Sequence, residues 1–353
     1  MSSPLRSLAA SLVVAGLVGI AALEWLLFLG RFEGGPLGVL QVFTPHLAML
    51  GLVLAAFAVA TRRPAGALGT AAIIAIVLVR FAGDWISFPP AAAARNAPVL
   101  DVVTWNAEVD SRSGTATAAL VAAHPADLVA LVELQPDAAA AIAADPELTK
   151  RYPYRSFHPR NDVLGMGLLS RFPIIGSTNQ LEPAVQQATV DVDGRQVVVI
   201  VAHPMHADVQ HVRRLVPVGI DVNQRNDDLL KIRDRIDAAT QAGDPVILLG
   251  DLNTAPSEPA HDRLVAGLRD VHAEVGNGTG WTWRPIPLEF LGIGLIRIDY
   301  VIVSPDIDAI SIGETCPNVG DHCIVSARLA LSPAGAASPA GAASPSASRS
   351  PAP

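Results

Sequence analysis

The chain is poor in cysteine, in aromatic rings and in charge. Two cysteines among 353 residues cannot frame a disulfide-built domain, although they can form one bridge. Aromatic residues make up 5%, so the 50% hydrophobic content is aliphatic and rich in alanine. Charged residues make up 16% and the formal net charge is −8, which does not favour a protein that clamps polyanions by bulk charge. The mean hydropathy of +0.38 excludes a wholly disordered chain and is high for a soluble enzyme. Chemical signatures are missing too. No Gly-x-Ser-x-Gly elbow supplies a serine nucleophile, and no glycine-rich loop ends in Lys-Ser/Thr. His203, His206 and His211 lack the His-Glu-x-x-His frame of a helical zinc site.

What is present is unevenly distributed. Residues 8–29 are apolar or small except Ser11 and Glu24; residues 37–60 are apolar except Gln41, Thr44, His46 and Pro45. A third run covers 66–79 and continues over 81–88 despite Asp84. Each approaches the ~20 residues that cross ~30 Å of hydrocarbon as a helix. A cleaved signal peptide fits the first run poorly, because that run is long and two more follow it. The expectation is a three-helix membrane anchor over 1–88. Arg6 precedes the first run and Arg62–Arg63 separate the second and third, whereas Arg31 is balanced by Glu33. The positive-inside rule then puts the amino terminus in the cytoplasm and everything after the third span outside it. The chain is thus expected to be a multi-pass membrane protein with an extracytoplasmic domain. Glu24 within the first span calls for a partner on another helix or an interfacial position.

Beyond a Pro/Ala connector at 89–97, short apolar runs alternate with amphipathic stretches. Residues 99–105, 128–133, 166–170, 197–203, 246–251 and 298–303 read as buried strands. Residues 115–124 and 223–242 read as helices, the second ending naturally at Gly243. Residues 98–331 therefore form an α/β domain with its own core. The tail, 332–353, repeats Ala-Gly-Ala-Ala-Ser-Pro and cannot bury a core.

Polar residues gather where these strands end. The clearest case is Val-Ile-Leu-Leu-Gly-Asp-Leu-Asn at 246–253, in which Asp251 and Asn253, two apart, share one face. The first strand ends in Asn106, with Glu108 two residues on; the second ends in Glu133, and another in His203. Asp299 begins a strand, and Asp321-His322 precede the last one. Any one of these is ordinarily a turn or cap residue; together they form a set of hard oxygen donors suited to Mg²⁺ or Mn²⁺, with imidazoles able to handle water and phosphate oxygens.

This ordered set also includes Trp105-Asn106, Gly167-Leu168-Leu169-Ser170-Arg171-Phe172-Pro173-Ile174, Gly250-Asp251-Leu252-Asn253 and Arg297-Ile298-Asp299-Tyr300. Over about residues 98–331 it resembles the endonuclease/exonuclease/phosphatase superfamily, whose members include pancreatic-type deoxyribonuclease, abasic-site endonucleases, inositol polyphosphate phosphatases and neutral sphingomyelinases. The resemblance implies a four-layer α/β/β/α sandwich and metal-dependent hydrolysis of a phosphoester. Glu133 would be the principal metal ligand, with Asn106 beside it and Asp321 adding a metal or electrostatic contact. Glu108 stands where some nucleases of the family carry an aspartate ligand. Asp251 and Asn253 would orient the water and the phosphate. His322, held by Asp299, would be base or phosphate contact, and His203 would touch the phosphate or assist the leaving group.

Cys316 and Cys323 flank the last motif; a bridge would pin the loop of Asp321 and His322 and would suit an oxidising compartment, the other reading being two buried thiols. His206 and His211 are expected on loops near the site, Trp281 and Trp283 in sheet packing, and Arg213, Arg214 and Arg225 on solvated faces. From residue 89 onward lie 20 of the basic and 30 of the acidic side chains, so the enzyme domain is itself acidic. A nucleic acid, a phospholipid headgroup and a small phosphoester all remain open as substrate, and no protein partner is evident. The competing class is a non-catalytic binding module on the same fold.

Overall fold

The computed structural model describes residues 3–331 other than 88–96, 109–112, 213–215, 286, 287, 289, 291, 318 and 319. Nearly all of the 89–97 connector, the whole 332–353 tail, Arg213 and Arg214 lie outside the described residues. Five helices precede the first strand: α1 (Ser3–Gly30), α2 (Gly35–Val42), α3 (Thr44–Ala60), α4 (Pro64–Arg80) and the short α5 (Ala82–Trp85).

Of these, α1 alone is long and apolar enough to cross a membrane; α2 and α3 meet the test only together, and they are bent by 65° at their junction. At 17 residues, α4 is about 25 Å long, short of the hydrocarbon thickness. The three expected spans are therefore corrected to one, or two if the bent pair counts as one. The causes are local. Pro45 lies in the first turn of α3, and its ring cannot continue a helix arriving from α2. The third apolar run continues in sequence past Arg80, but the helix stops at Phe81.

The long helices pack on one another through Val14, Leu17 and Ala21 of α1, Ala55 and Ala58 of α3, and Ile73 and Ile76 of α4. Small residues permit the approach: a Cβ on Gly51 would stand 2.6 Å from Ile73 Cδ1. Leu8, Leu12, Phe57, Leu68 and Leu78 are exposed on the outside of this bundle. Glu24 is wholly buried and pairs with Arg80 of α4 at 3.7 Å, a partner that the sequence did not disclose. At one end of the bundle Arg63 Nη1 donates to Ser11 Oγ at 2.6 Å. At the other, Arg31 pairs with Asp262 and Glu33 with Arg263, which joins the bundle to the following domain.

That domain begins with β1 (Val99–Asn106), α6 (Gly114–Ala123), β2 (Leu128–Val132), α7 (Pro136–Ala144) and α8 (Pro146–Arg151). Five strands follow, β3 (Tyr154–His158), β4 (Met166–Ser170), β5 (Ile174–Leu181), β6 (Ala184–Val192) and β7 (Arg195–His203), and then the ribbon β8 (Asp208–Val212) and β9 (Val216–Asp221). The chain closes with α9 (Asn223–Ala242), β10 (Val246–Asp251), α10 (Pro259–Val265), β11 (Arg269–Asp270), α11 (Val271–Val275), β12 (Asp299–Val303), β13 (Ile307–Thr315) and β14 (Ile324–Leu331).

Two six-stranded mixed sheets result, in the orders β13-β14-β1-β2-β4-β3 and β11-β12-β10-β7-β6-β5. In the first, β1 and β2 run parallel; in the second, β7 and β10 do. Val102, Ala130 and Leu168 of one sheet face Val199, Val201 and Ile247 of the other in a shared core. The outer face of the first sheet takes Val121 of α6 and Ile142 of α7. The outer face of the second takes Leu229, Ile232 and Ile236 of α9, whose one-sided spacing buries a single stripe. Gly243 ends α9 with a left-handed φ of 87°. Two mixed sheets with helices on both outer faces fit the expected α/β sandwich.

Removing Arg80 would leave the buried Glu24 carboxylate unpaired. Arg80→Met should therefore lower the thermal stability of the detergent-solubilised chain by about 3 kcal/mol. The double variant Glu24→Gln/Arg80→Met should recover part of that loss; strictly additive effects in the cycle would show that the pair is not coupled.

Candidate active site

The face-to-face packing of the sheets brings the carboxyl ends of β1, β2, β7 and β10 to one rim. Asn106 ends β1, Glu133 follows β2, His203 ends β7 and Asp251 ends β10. From the antiparallel neighbours, Asp299 opens β12 opposite Asp251, and His322 lies just before β14. Asn106 Nδ2 lies 3.0 Å from Glu133 Oε1 and 3.1 Å from Asp251 Oδ2, so one amide group bridges carboxylates from two sheets. Asp251 Oδ2 also lies 3.6 Å from Nε2 of both His203 and His322.

Each imidazole is oriented from behind. His203 Nδ1 is 2.9 Å from the Val163 carbonyl, which requires N–H at Nδ1 and leaves Nε2 facing the carboxylates. His322 Nδ1 is 2.9 Å from Asp299 Oδ2. Burial would push the His322 imidazole down, but Asp299 and then Asp251 outweigh it and raise it to about 10. Burial pushes Asp251 up to about 6, with the two imidazoles pulling against it and Asp299 adding to the rise.

Backbone strain is concentrated at this rim. Of six described non-glycine residues at positive φ, three are Glu108, Glu133 and Asn253, and such strain is a mark of positions held by their surroundings for function. Gly250 is required for a different reason: a Cβ there would lie 2.0 Å from the Ala202 carbonyl oxygen, so only glycine lets β10 approach β7 so closely.

The remaining expected residues divide. Asn253 lines the cavity at the cluster, but its Nδ2 donates to the Pro204 carbonyl at 2.9 Å and its backbone N–H to Asp251 Oδ1, so it ties the two strand ends together. Glu108 Oε2 accepts from the Asp321 backbone N–H at 3.1 Å and braces that loop. Asp321 Oδ2 accepts from Trp283 Nε1 at 3.0 Å. The Cys316–Cys323 bridge is formed, and the Arg284 guanidinium bonds the Gly320 carbonyl within the loop it closes. His206 and His211 line the same cavity.

Three expectations for side chains are corrected. Arg225 is not on a solvated face: it is buried, with Nη2 2.7 Å from Glu258 Oε1 and Nη1 donating to the Asn253 carbonyl. Trp283 lines the cavity and holds Asp321, because isolated bridges to Ile296 and His322, rather than a sheet, place it. Trp281 stacks on His46 of α3 with ring centroids 4.5 Å apart. Thr282, not singled out in the sequence, accepts from the Asp299 backbone N–H at 3.1 Å; its stretch has no periodicity to signal it.

The donor set fits a divalent cation. Carboxylates of Glu133, Asp251, Asp299 and Asp321 converge with two imidazoles between them, and Asp299 Oδ1 and Asp321 Oδ1 are buried without a hydrogen-bond partner. Asp251, Asp299 and His322 can each offer a ligand atom within 4.8 Å of the others, although the Asp299–His322 pair is already engaged in its own bond. Like charges so close together need a cation or protons to coexist.

A mixed α/β sandwich with carboxylates, an amide and imidazoles at its strand ends defines a hydrolase acting on phosphoester bonds. Residues 103–322 match the Endonuclease/Exonuclease/phosphatase family, and the chain belongs to that family. Solved structures agree on the fold. The 3′ phosphatase NExo from Neisseria bound to product DNA hairpin is 18% identical, with a TM-score of 0.51 over 65% of this chain and 98% of that one. D. rerio TDP2 complexed with single strand DNA product is 17% identical, with a TM-score of 0.50 over 65% and 98%. A family protein from Bacteroides thetaiotaomicron is 14% identical, with a TM-score of 0.50 over 67% and 99%. Among curated proteins, none matches the chain.

In a metal-free sample His322 should titrate near pH 10 instead of the ordinary 6.5. Since the folded value lies above the unfolded one, the pairing stabilises the fold fully below about pH 6.5 and fades as pH rises through 10. Asp299→Asn should bring the His322 midpoint down by more than one unit, read by NMR of the ring nitrogens. An unmoved midpoint would show that Asp299 does not hold the charge.

Proposed function

We propose that the chain is a divalent-metal-dependent phosphoester hydrolase, held at a membrane by its N-terminal helices, with the catalytic domain on the extracytoplasmic side. The observation that carries the chemistry is Asp251 Oδ2 set 3.6 Å from two imidazoles and bridged by Asn106 to Glu133. Glu133 and Asn106, with Asp321 at the edge, are the residues that would hold Mg²⁺ or Mn²⁺. A bound cation of this kind neutralises phosphoryl oxygens and the alkoxide that leaves.

The chain's own residues supply the rest. Asp251 takes the proton of the attacking water, since its carboxylate is central to the cluster and Asn253 N–H fixes its other oxygen. The His322 imidazolium, held by Asp299, faces the phosphoryl oxygens and offsets their charge. His203, fixed through Nδ1, presents Nε2 to the phosphate or to the departing oxygen. Asn106 keeps Glu133 and Asp251 in register, so that an in-line approach needs little rearrangement.

Membrane placement draws on three observations. The outer faces of the helix bundle are apolar. Its arginine end, Arg6 and Arg63, is the end near Ser11, whereas Arg31 and Glu33 at the far end of α1 meet the catalytic domain; the positive-inside rule therefore supports a domain outside. The Cys316–Cys323 bridge suits the same compartment.

With Mn²⁺ or Mg²⁺ the full chain should hydrolyse phosphoesters and lose activity to a chelator. Asp251→Asn and His322→Ala should each reduce kcat by about 10²–10⁴-fold with an unchanged circular dichroism spectrum. Activity that survives both substitutions would reject these assignments. A reporter that is active only outside the cytoplasm, fused after Leu331, should be active; activity of a cytoplasm-restricted reporter at the same site would reverse the topology.

A further inference from the structure

The cavity that ends at the catalytic cluster has two contrasting ends. It encloses about 570 Å³, within the range of a ligand pocket. Glu133, His203, Asp251 and His322 stand at one end. Away from them the walls are Val39 and Val42 of α2 and Phe43 at its junction with α3, faced by Leu164, Met205 and Ile220. Apart from the imidazoles of His206 and His211, these walls give an extended polyanion nothing to bind. Among the described residues lining the cavity, the one guanidinium is Arg225, already committed to Glu258 and the Asn253 carbonyl, and there is no lysine. A polynucleotide threaded through it would place charged phosphates, which call for cations or N–H donors, against aliphatic side chains.

The apolar end belongs to the membrane helices. α2 is the bent half of the apolar pair whose other half, α3, packs into the bundle with α1 and α4. It lies on the β8–β9 ribbon, where Gly38 permits close approach: a Cβ there would be 3.1 Å from Ile220 Cγ1. The stacking of His46 on Trp281 fixes the start of α3 beside the loop that carries Trp283. One cavity thus joins the catalytic cluster directly to a wall contributed by the anchor.

We infer that the substrate is a lipid phosphoester drawn from the bilayer that holds the anchor. Its phosphate seats at the Asp251–His322 end, and its aliphatic chain lies along Val39, Val42 and Phe43. The inference rests on the phosphoester-hydrolase reading above and adds what that hydrolase acts on. It also gives α2 a role in selection: the helix shields the chain from water while the headgroup reaches the polar cluster.

The test uses the full chain in lipid nanodiscs with Mn²⁺ and three kinds of substrate: phosphocholine esters of increasing alkyl length, a chain-free aryl phosphocholine, and a single-stranded DNA oligonucleotide. For the alkyl series, kcat/KM should rise with length by up to about fourfold per buried methylene, chiefly through KM. Val39→Asp, and separately Met205→Glu on the facing wall, should each lower the ratio of long-chain to chain-free kcat/KM at least tenfold. Two variants on different elements, each checked by its melting temperature, separate this effect from misfolding. Chain-free and alkyl esters cleaved with equal kcat/KM would overturn the inference and leave the hydrolase intact. DNA cleaved with a higher kcat/KM than any lipid would overturn it in favour of a nuclease. No metal-dependent turnover of any substrate would sink the hydrolase reading, and this inference with it.

Discussion

Everything at the site depends on the way two sheets are pressed together. Their inner faces are aliphatic, so burial drives them into contact, and contact brings the ends of parallel pairs from each sheet to one rim. At that rim the constraint changes from apolar to ionic, because several carboxylates converge on a volume that cannot hold their charge unaided. The Asn106 amide is the joint between the two regimes: it is carried on the end of a core strand, and it donates to acids from both sheets. Loosening of the inter-sheet core would therefore be felt first in the separation of Glu133 from Asp251, long before the fold was lost.

Much of this was legible in the sequence. Six strands with near-continuous aliphatic runs were read where they lie, because a strand buried on both faces leaves an unmistakable run, and five of them bring a polar terminus to the rim, β4 ending in Ser170 at the opposite end. The rest left weaker traces. β5 and β8 are largely exposed, so no apolar pattern announces them. Thr282 and Trp283 sit in irregular backbone, and their contribution arises from the bridge to Ile296 and His322, a long-range pairing that local composition cannot encode. Arg225 reads as a surface cation until α9 is placed; then Glu258, distant in sequence, accounts for its burial. The left-handed backbone of Glu133 is also invisible in the residue letters, since glutamate has no local preference for it.

The N-terminal helices depart further from their sequence reading. Hydropathy counts apolar residues but does not see where helices stop, and so it joined 66–79 to 81–88 across the end of α4 at Phe81. What replaces a third independent span is a bundle tied to the enzyme by ion pairs at one end and by α2 at the cavity. The N-terminal bundle and the catalytic domain share cavity walls in this arrangement, so the first eighty residues help to build the site.

Gly250 carries a consequence for how this protein would look to a geneticist. It touches no substrate and offers no functional group, yet any side chain there collides with the Ala202 carbonyl and pushes β10 off β7. That displacement would part Asp251 from His203, the residues immediately following 250 and 202. In a saturation map of loss of function, position 250 would be as intolerant as the acids and imidazoles themselves, and a reader of the map would mistake a spacer for a catalyst.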